Sequence, residues 1–341
     1  MVNIRKTNKQ ETNASPHKVK LQTSIIMVNL GTPEKPTYLA TMRFLREFLS
    51  DRRVINITKL LWYPILYGFI LPFRSQSAKN KYKKIHTAKG MPLTYLSKKL
   101  YDGVKRNIES QNNHTKVYLA MRYGQDNIEK TLKSIQPLSH QKIIILPMFP
   151  QYSATTTASI FDEVARCMKR WNFLPNYHFI RDYCNHEGYI KALANSIRTH
   201  WKSHKKAQKI LFSYHGLPEQ NLANGDPYSC YCHKTTRLVA QELGLGVDDY
   251  ETVFQSRFGP SQWLKPYTED TIISLAKSGT KTLDMIAPSF AVDCLETIDE
   301  ISREYQEIFQ ENGGSTIQYI PALNDSNDAI NLMTSIIEDH L

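Results

Sequence analysis

Glycine and proline are scarce, 14 and 16 of 341 residues. No GxxxxGKS/T run is present and no GxGxxG follows a strand-like segment, which disfavours nucleotide binding by a glycine-rich phosphate loop. Long apolar runs are missing too. The most apolar stretch, LLWYPILYGFILPF at 60–73, has fourteen uncharged residues, too few to cross a hydrocarbon core of about 30 Å as a helix. Cysteine is limited to five positions, 167, 184, 230, 232 and 294, an odd number at irregular spacings that argues against a disulfide framework. Residues 1–22 are polar and lack the apolar core of a secretory signal. They read as a disordered tail, and the compartment as a reducing cytoplasm. With 41% hydrophobic and 22% charged residues, the chain falls outside the disordered, collagenous and polytopic membrane classes.

What is present is unevenly placed. The net charge of +11 lies within residues 51–106, where 13 Lys and Arg face only Asp51 and Asp102, and the remainder is neutral. The greasy 60–73 segment sits inside this basic stretch. It is either a buried core helix broken at Pro64, or an apolar segment at a bilayer interface or at the mouth of an apolar ligand site. No nucleic-acid motif accompanies the cations, so nucleic acid is not an expected partner.

Apolar or β-branched runs recur at 24–30, 116–121, 142–148, 177–183, 209–214, 251–256, 282–287 and 316–320, separated by amphipathic stretches such as 126–136, 159–171, 187–203 and 294–311. Strand alternating with helix predicts α/β architecture: two Rossmann-like domains, each a parallel sheet flanked by helices, with a cleft between them. From the length, residues 23–150 are expected to form the first domain, completed by 316–341, and 151–315 the second.

Ligands of doubly wound sheets sit beyond the carboxyl ends of the strands, so strand ends carry the functional candidates. His215 follows KILFSY and precedes Gly216 and Pro218, on a tight turn where side chains are displayed. Glu296, Glu300 and Glu304 follow TLDMIA at steps of four, near one helix face, with Asp293 close by. An imidazole opposite a carboxylate suits a transient divalent metal, and a row of carboxylates behind it can relay protons or hydrated cations. Aromatics and a few arginines at strand ends, among them Arg122, Tyr123, Trp263 and Phe290, fit a large, flat, apolar ligand bearing carboxylates.

The segments VNLGTP, FLREFLSDRRVI, PQYSATTT, SYHGLP, GDPYSCYCHKTTR, FQSRFGPSQWLKPYT, FAVDCLETIDEI and YIPALN together resemble the signature segments of the ferrochelatase family. They occur in family order over about residues 24–341 and closely resemble the bacterial protoporphyrin-using branch. The resemblance implies a lyase that inserts ferrous iron into protoporphyrin IX, forming protoheme as two pyrrole protons leave. By motif it implies His215 as the active-site histidine and Glu296 as its acidic partner, both at the iron site. It implies Asp293 and Phe290 as further cleft residues, and Arg122, Tyr123, Ser153 and Trp263 as porphyrin-pocket residues. Leu30 would supply an apolar contact without metal ligation, and 60–73 part of a pocket lip that in some members meets the membrane. In this reading His215 accepts a pyrrole proton and Glu296, Glu300 and Glu304, with Asp293, conduct protons or iron.

Some members of the family hold a 2Fe-2S cluster on four cysteines. Here Cys230 and Cys232 form a CxC, but no cysteine-bearing extension follows and Cys294 lies in the active-site segment. No cluster and no other resident cofactor is expected, and Fe2+ is a substrate. The rival readings are a non-catalytic tetrapyrrole or metal carrier and a chelatase for a more polar tetrapyrrole such as coproporphyrin.

Overall fold

The computed structural model describes residues 22–135 and 140–341; the polar tail expected over 1–22 lies outside them but for Gln22. Each of the eight apolar runs contributes a strand. β1 (Gln22–Asn29), β2 (Thr115–Met121), β3 (His140–Pro147) and β4 (Asn176–Phe179) form one parallel sheet in the order β2-β1-β3-β4. β5 (Lys209–His215), β6 (Tyr250–Gln255), β7 (Thr282–Ile286) and β8 (Thr316–Ile320) form a second, β6-β5-β7-β8, with the same winding.

The helices in chain order are α1 (Tyr38–Leu49), α2 (Lys59–Ile65), α3 (Leu71–Ile85), α4 (Pro92–Gln111), α5 (Ile128–Ser134) and α6 (Ser159–Met168). They continue with α7 (Glu187–Ser203), α8 (Glu219–Ala223), α9 (Tyr228–Leu243), α10 (Thr268–Lys277), α11 (Gln306–Glu311) and α12 (Asn327–Glu338). Among the described residues, Leu66–Ile70, Ala154–Ala158 and Glu296–Tyr305 are π-helical.

Burial on both faces explains why the central strands read as unbroken apolar runs. In β1, Ile25 and Met27 face a core shared with Ile210, Phe212 and Tyr214 of β5 and with helices α4, α7 and α12. Ile26 and Val28 point the other way, onto α5 and α6.

The sheets divide the chain near residue 180 rather than at the expected 150. β4 pairs with β3, and β8, expected in the first domain, pairs with β7 in the second sheet. Periodicity identifies a strand but not its neighbour, which is a tertiary choice. α12 bridges the halves, packing on α4 of the first and α7 of the second. Gly103 permits that close approach: a Cβ there would stand 2.4 Å from Ile330 Cδ1.

The 60–73 segment is not a core helix broken at proline. Pro64 lies within α2, and the chain stays helical through it into the π segment Leu66–Ile70. Trp62, Leu66 and Leu71 are buried with Phe44, Leu45 and Leu49 of α1, and Trp62 Nε1 donates to Leu49 O at 2.7 Å. Leu60 (84% exposed), Leu61, Phe69 and Phe73 (75%) face outward. No helix among the described residues is long and apolar enough to cross a membrane.

Candidate active site

Both sheets direct their carboxyl ends at one slot of about 650 Å³, where doubly wound sheets bind ligands. Leu30 after β1, Phe149 after β3, His215 at the end of β5 and Phe290 after β7 line it. Helices complete the lining, with Phe44, Leu45 and Phe48 from α1 and Arg74, Lys81 and Tyr82 from α3.

His215 is the last residue of β5, in register with Gln255 of β6. Its neighbour must be glycine, because a Cβ on Gly216 would stand 2.8 Å from Gln255 O and 3.1 Å from Trp263 Cε3. His215 Nδ1 lies 2.7 Å from Gly216 O. A carbonyl can only accept, so Nδ1 carries a proton, and in the neutral tautomer that this selects, the lone pair is on Nε2. Among the described residues nothing is hydrogen-bonded to Nε2.

Glu296, Glu300 and Glu304 all line the slot from the π-helix. Asp293 fixes the start of that helix from behind. Its Oδ1 accepts from Thr297 Oγ1 (2.9 Å) and Tyr319 OH (2.5 Å), and its Oδ2 from Asn324 Nδ2 (2.7 Å). Glu300 is gripped in turn: Oε1 accepts from Ser256 N (2.8 Å) and Tyr305 OH (2.7 Å), Oε2 from Ser256 Oγ (2.5 Å) and Gln255 Nε2 (3.2 Å). Ser256 has φ +64°, so this grip holds a strained residue. Glu304, at the outer end, meets Lys81 Nζ at 2.8 Å and Arg303 at 3.1 Å.

Beside Glu296 the Tyr82 phenol is pushed far up, by burial first and then by the Glu296 charge. Burial, with the Glu300 charge, does the same to Tyr305. Asp299 is also buried in the slot wall; one oxygen accepts from Arg303 Nε at 2.7 Å and the other has no partner.

Of the residues expected in the site, the slot gathers Leu30, His215, Trp263, Phe290, Glu296, Glu300 and Glu304. Arg122, Tyr123, Ser153 and Asp293 do not line it. Arg122 is drawn into a partly buried ion pair with Asp51 (2.6 Å) and donates to Ser159 Oγ (2.7 Å), and Tyr123 OH donates to Asp51 (2.9 Å). Ser153 donates to buried Asp226 (3.0 Å) and caps the π-helix at Ala154. Asp293 is spent on the donors named above, which makes it an anchor behind the carboxylate row. Sequence reasoning missed Arg74, Lys81 and Tyr82, although their spacing of seven and eight residues marks one face of a helix.

No three cysteines come within ligating reach of one another among the described residues. Glu129, Glu163 and Cys167 do converge, but Arg166 bonds both carboxylates and Lys133 pairs with Glu129.

A sequence profile of the ferrochelatase family matches residues 22–341. Ferrochelatase 2 of Shewanella oneidensis is 43% identical over 325 residues, covering 95% of this chain and 99% of that one. The ferrochelatase of Vibrio cholerae is 42% identical over 314 residues, covering 92% and 97%. Among solved structures, SirB from Bacillus subtilis with Fe3+ matches with a TM-score of 0.55 at 10% identity, over 94% of this chain and 95% of that one. CbiX, from siroheme biosynthesis in denitrifying bacteria, gives 0.50 at 11%, over 93% and 99%. At such identities these two likenesses concern the fold alone.

Proposed function

The chain belongs to the ferrochelatase family, enzymes that insert ferrous iron into a porphyrin for heme synthesis, and on that premise we propose how its own residues carry the reaction. The observation that bears most weight is a free imidazole nitrogen and a carboxylate row on the walls of one slot.

The substrate is protoporphyrin IX, lying flat between Leu30, Phe44 and Phe48 on one side and Phe290 and Trp263 on the other. Arg74 and Arg257 line the mouth and have no carboxylate partner among the described residues. They stack on Phe258 and Tyr267, at 4.3 and 4.2 Å from the ring centres, and are placed to meet two propionates. A ring with four such acids would leave two against apolar wall, so coproporphyrin is the poorer fit.

Metallation exchanges two pyrrole protons for one Fe2+. His215 Nε2 accepts the two pyrrole protons one after the other, held to that tautomer by the Gly216 carbonyl, and passes each to the carboxylate row, while Glu296 balances the imidazolium and meets the cation. Glu300 and Glu304 extend the row outward and conduct the ions exchanged with solvent. Asp293, Arg122, Tyr123 and Ser153 act as positioning residues. Ferrous iron is substrate, and the reading calls for no resident cofactor.

Leu60, Leu61, Phe69 and Phe73, near the exposed cations Arg52 and Lys59, support peripheral contact with an anionic membrane on its cytoplasmic side.

Anaerobic assays with Fe2+, and with Zn2+ as surrogate, offering protoporphyrin and coproporphyrin side by side, test this reading. Protoporphyrin should be preferred. His215→Ala should lose about 10²–10⁴-fold in rate while porphyrin still binds. Substantial turnover by His215→Ala would refute the base assignment, and no turnover by the wild type with either porphyrin would favour a carrier.

A further inference from the structure

Lys81 contributes to no core and caps no helix, yet it reaches from α3 to the outermost carboxylate of the row on the neighbouring π-helix. Its ammonium lies 2.8 Å from Glu304 Oε1 and 3.2 Å from Oε2, and it has no other carboxylate partner among the described residues. Arg303, the second cation on Glu304, is fastened differently. It also pairs with Asp299 at 2.7 Å and Glu307 at 3.2 Å, both on its own helical run, so three carboxylates hold it in place. Lys81 hangs on Glu304 alone, its side chain is 44% exposed, and its four-carbon stem can swing into water.

Glu304 is therefore charge-matched at rest, and a dication can bind there only by displacing one of its two partners. The partner free to leave is Lys81. We propose that Lys81 is a displaceable counter-ion that competes with the incoming divalent cation for Glu304 and so sets the metal concentration at which the row loads. This rests on the reading above, in which the row conducts the metal. A permanently paired Glu304 would seal the row, and a bare one would collect cations without regard to supply. A flexible, half-exposed ammonium gives an intermediate affinity that responds to ionic strength, since exposed charges are screened over about 8 Å at physiological salt.

The test is steady-state insertion of Zn2+ into protoporphyrin IX at low and high salt by wild type, Lys81→Met, Lys81→Gln, Lys81→Arg and Glu304→Gln. Lys81→Met and Lys81→Gln should lower the KM for Zn2+ about threefold to tenfold at low salt, leave the KM for porphyrin unchanged, and converge on wild type as salt rises. Lys81→Arg should behave as wild type, and Glu304→Gln should raise the metal KM. A metal KM unmoved or raised in Lys81→Met and Lys81→Gln, with Glu304→Gln impaired, overturns the counter-ion role while sparing the row. A metal KM unmoved in all four variants overturns both.

Discussion

Exchanging Glu300 for Gln removes one charge and turns one acceptor oxygen into a group that only donates. With the amide oxygen in the Oε1 position, the bonds from Ser256 N and Tyr305 OH survive, and the new NH₂ faces the Gln255 amide nitrogen, donor against donor at about the present 3.2 Å. Gln255 cannot flip to accommodate it, because its Nε2 also donates to the Glu296 carbonyl at 3.2 Å, where an amide oxygen would set acceptor against acceptor. The reverse placement sets the NH₂ against the Ser256 N–H instead. Either way one donor is stranded and the surviving bonds lose their charged acceptor.

Stranding a donor costs about 1–3 kcal/mol; since Glu300 is only partly buried, the lower half of that range applies, about 1–2 kcal/mol. At roughly 2–4 °C per kcal/mol for a chain of a few hundred residues, Tm should fall by about 2–8 °C. Glu300→Ala should fall further, since it leaves all four donors without an acceptor. Thermal and guanidinium unfolding of porphyrin-free protein measure this. A Glu300→Gln variant within about 1 °C of wild type would show that the four contacts do not act as a clamp.

Two further outcomes follow from other parts of the chain. Burial alone would raise the Asp51 carboxyl, but the Ser159 hydroxyl, the Arg53 amide and the Arg122 charge outweigh it and hold the group below its ordinary value. A depressed folded pKa means stability that is present above the unfolded value, near 4, and lost as pH falls through the folded one. Asp51→Asn should thus cost about 1–3 kcal/mol at pH 7, with the gap to wild type closing below about pH 4. A gap constant from pH 7 to 3 would contradict the assignment. At the lip, sedimentation with phosphatidylserine-containing vesicles should weaken as salt rises and fall further in the double variant Phe69→Asp, Phe73→Asp. Binding indifferent to salt and to both substitutions would leave the exposed helix without a lipid role.

The strands were readable because central strands of parallel sheets are apolar on both faces, and His215 and Glu296 because they stand where such strands end. What escaped notice has physical causes. The helices between 38 and 111 carry mixed polar faces, so α3 looked like a charge run although Arg74, Lys81 and Tyr82 form one stripe along the slot. The stretch 294–311 scanned as one amphipathic helix, whereas its first ten residues from Glu296 take the wider π geometry. Strand-end position also placed Arg122 and Tyr123 in the pocket. Nothing in their local pattern reveals that Asp51, some seventy residues earlier in the chain, passes behind them and claims both side chains.

α12 belongs to neither sheet, yet it lies against α4 of one half and α7 of the other and follows every slot-lining residue in chain order. During synthesis both sheets can therefore be complete, and every wall of the slot already made, before the helix that lies across both halves has emerged. A nascent chain that met its flat ligand early would hold it between halves already joined through β1 and β5; their shared core is completed only when Ala329, Leu332, Met333 and Ile336 seat in it.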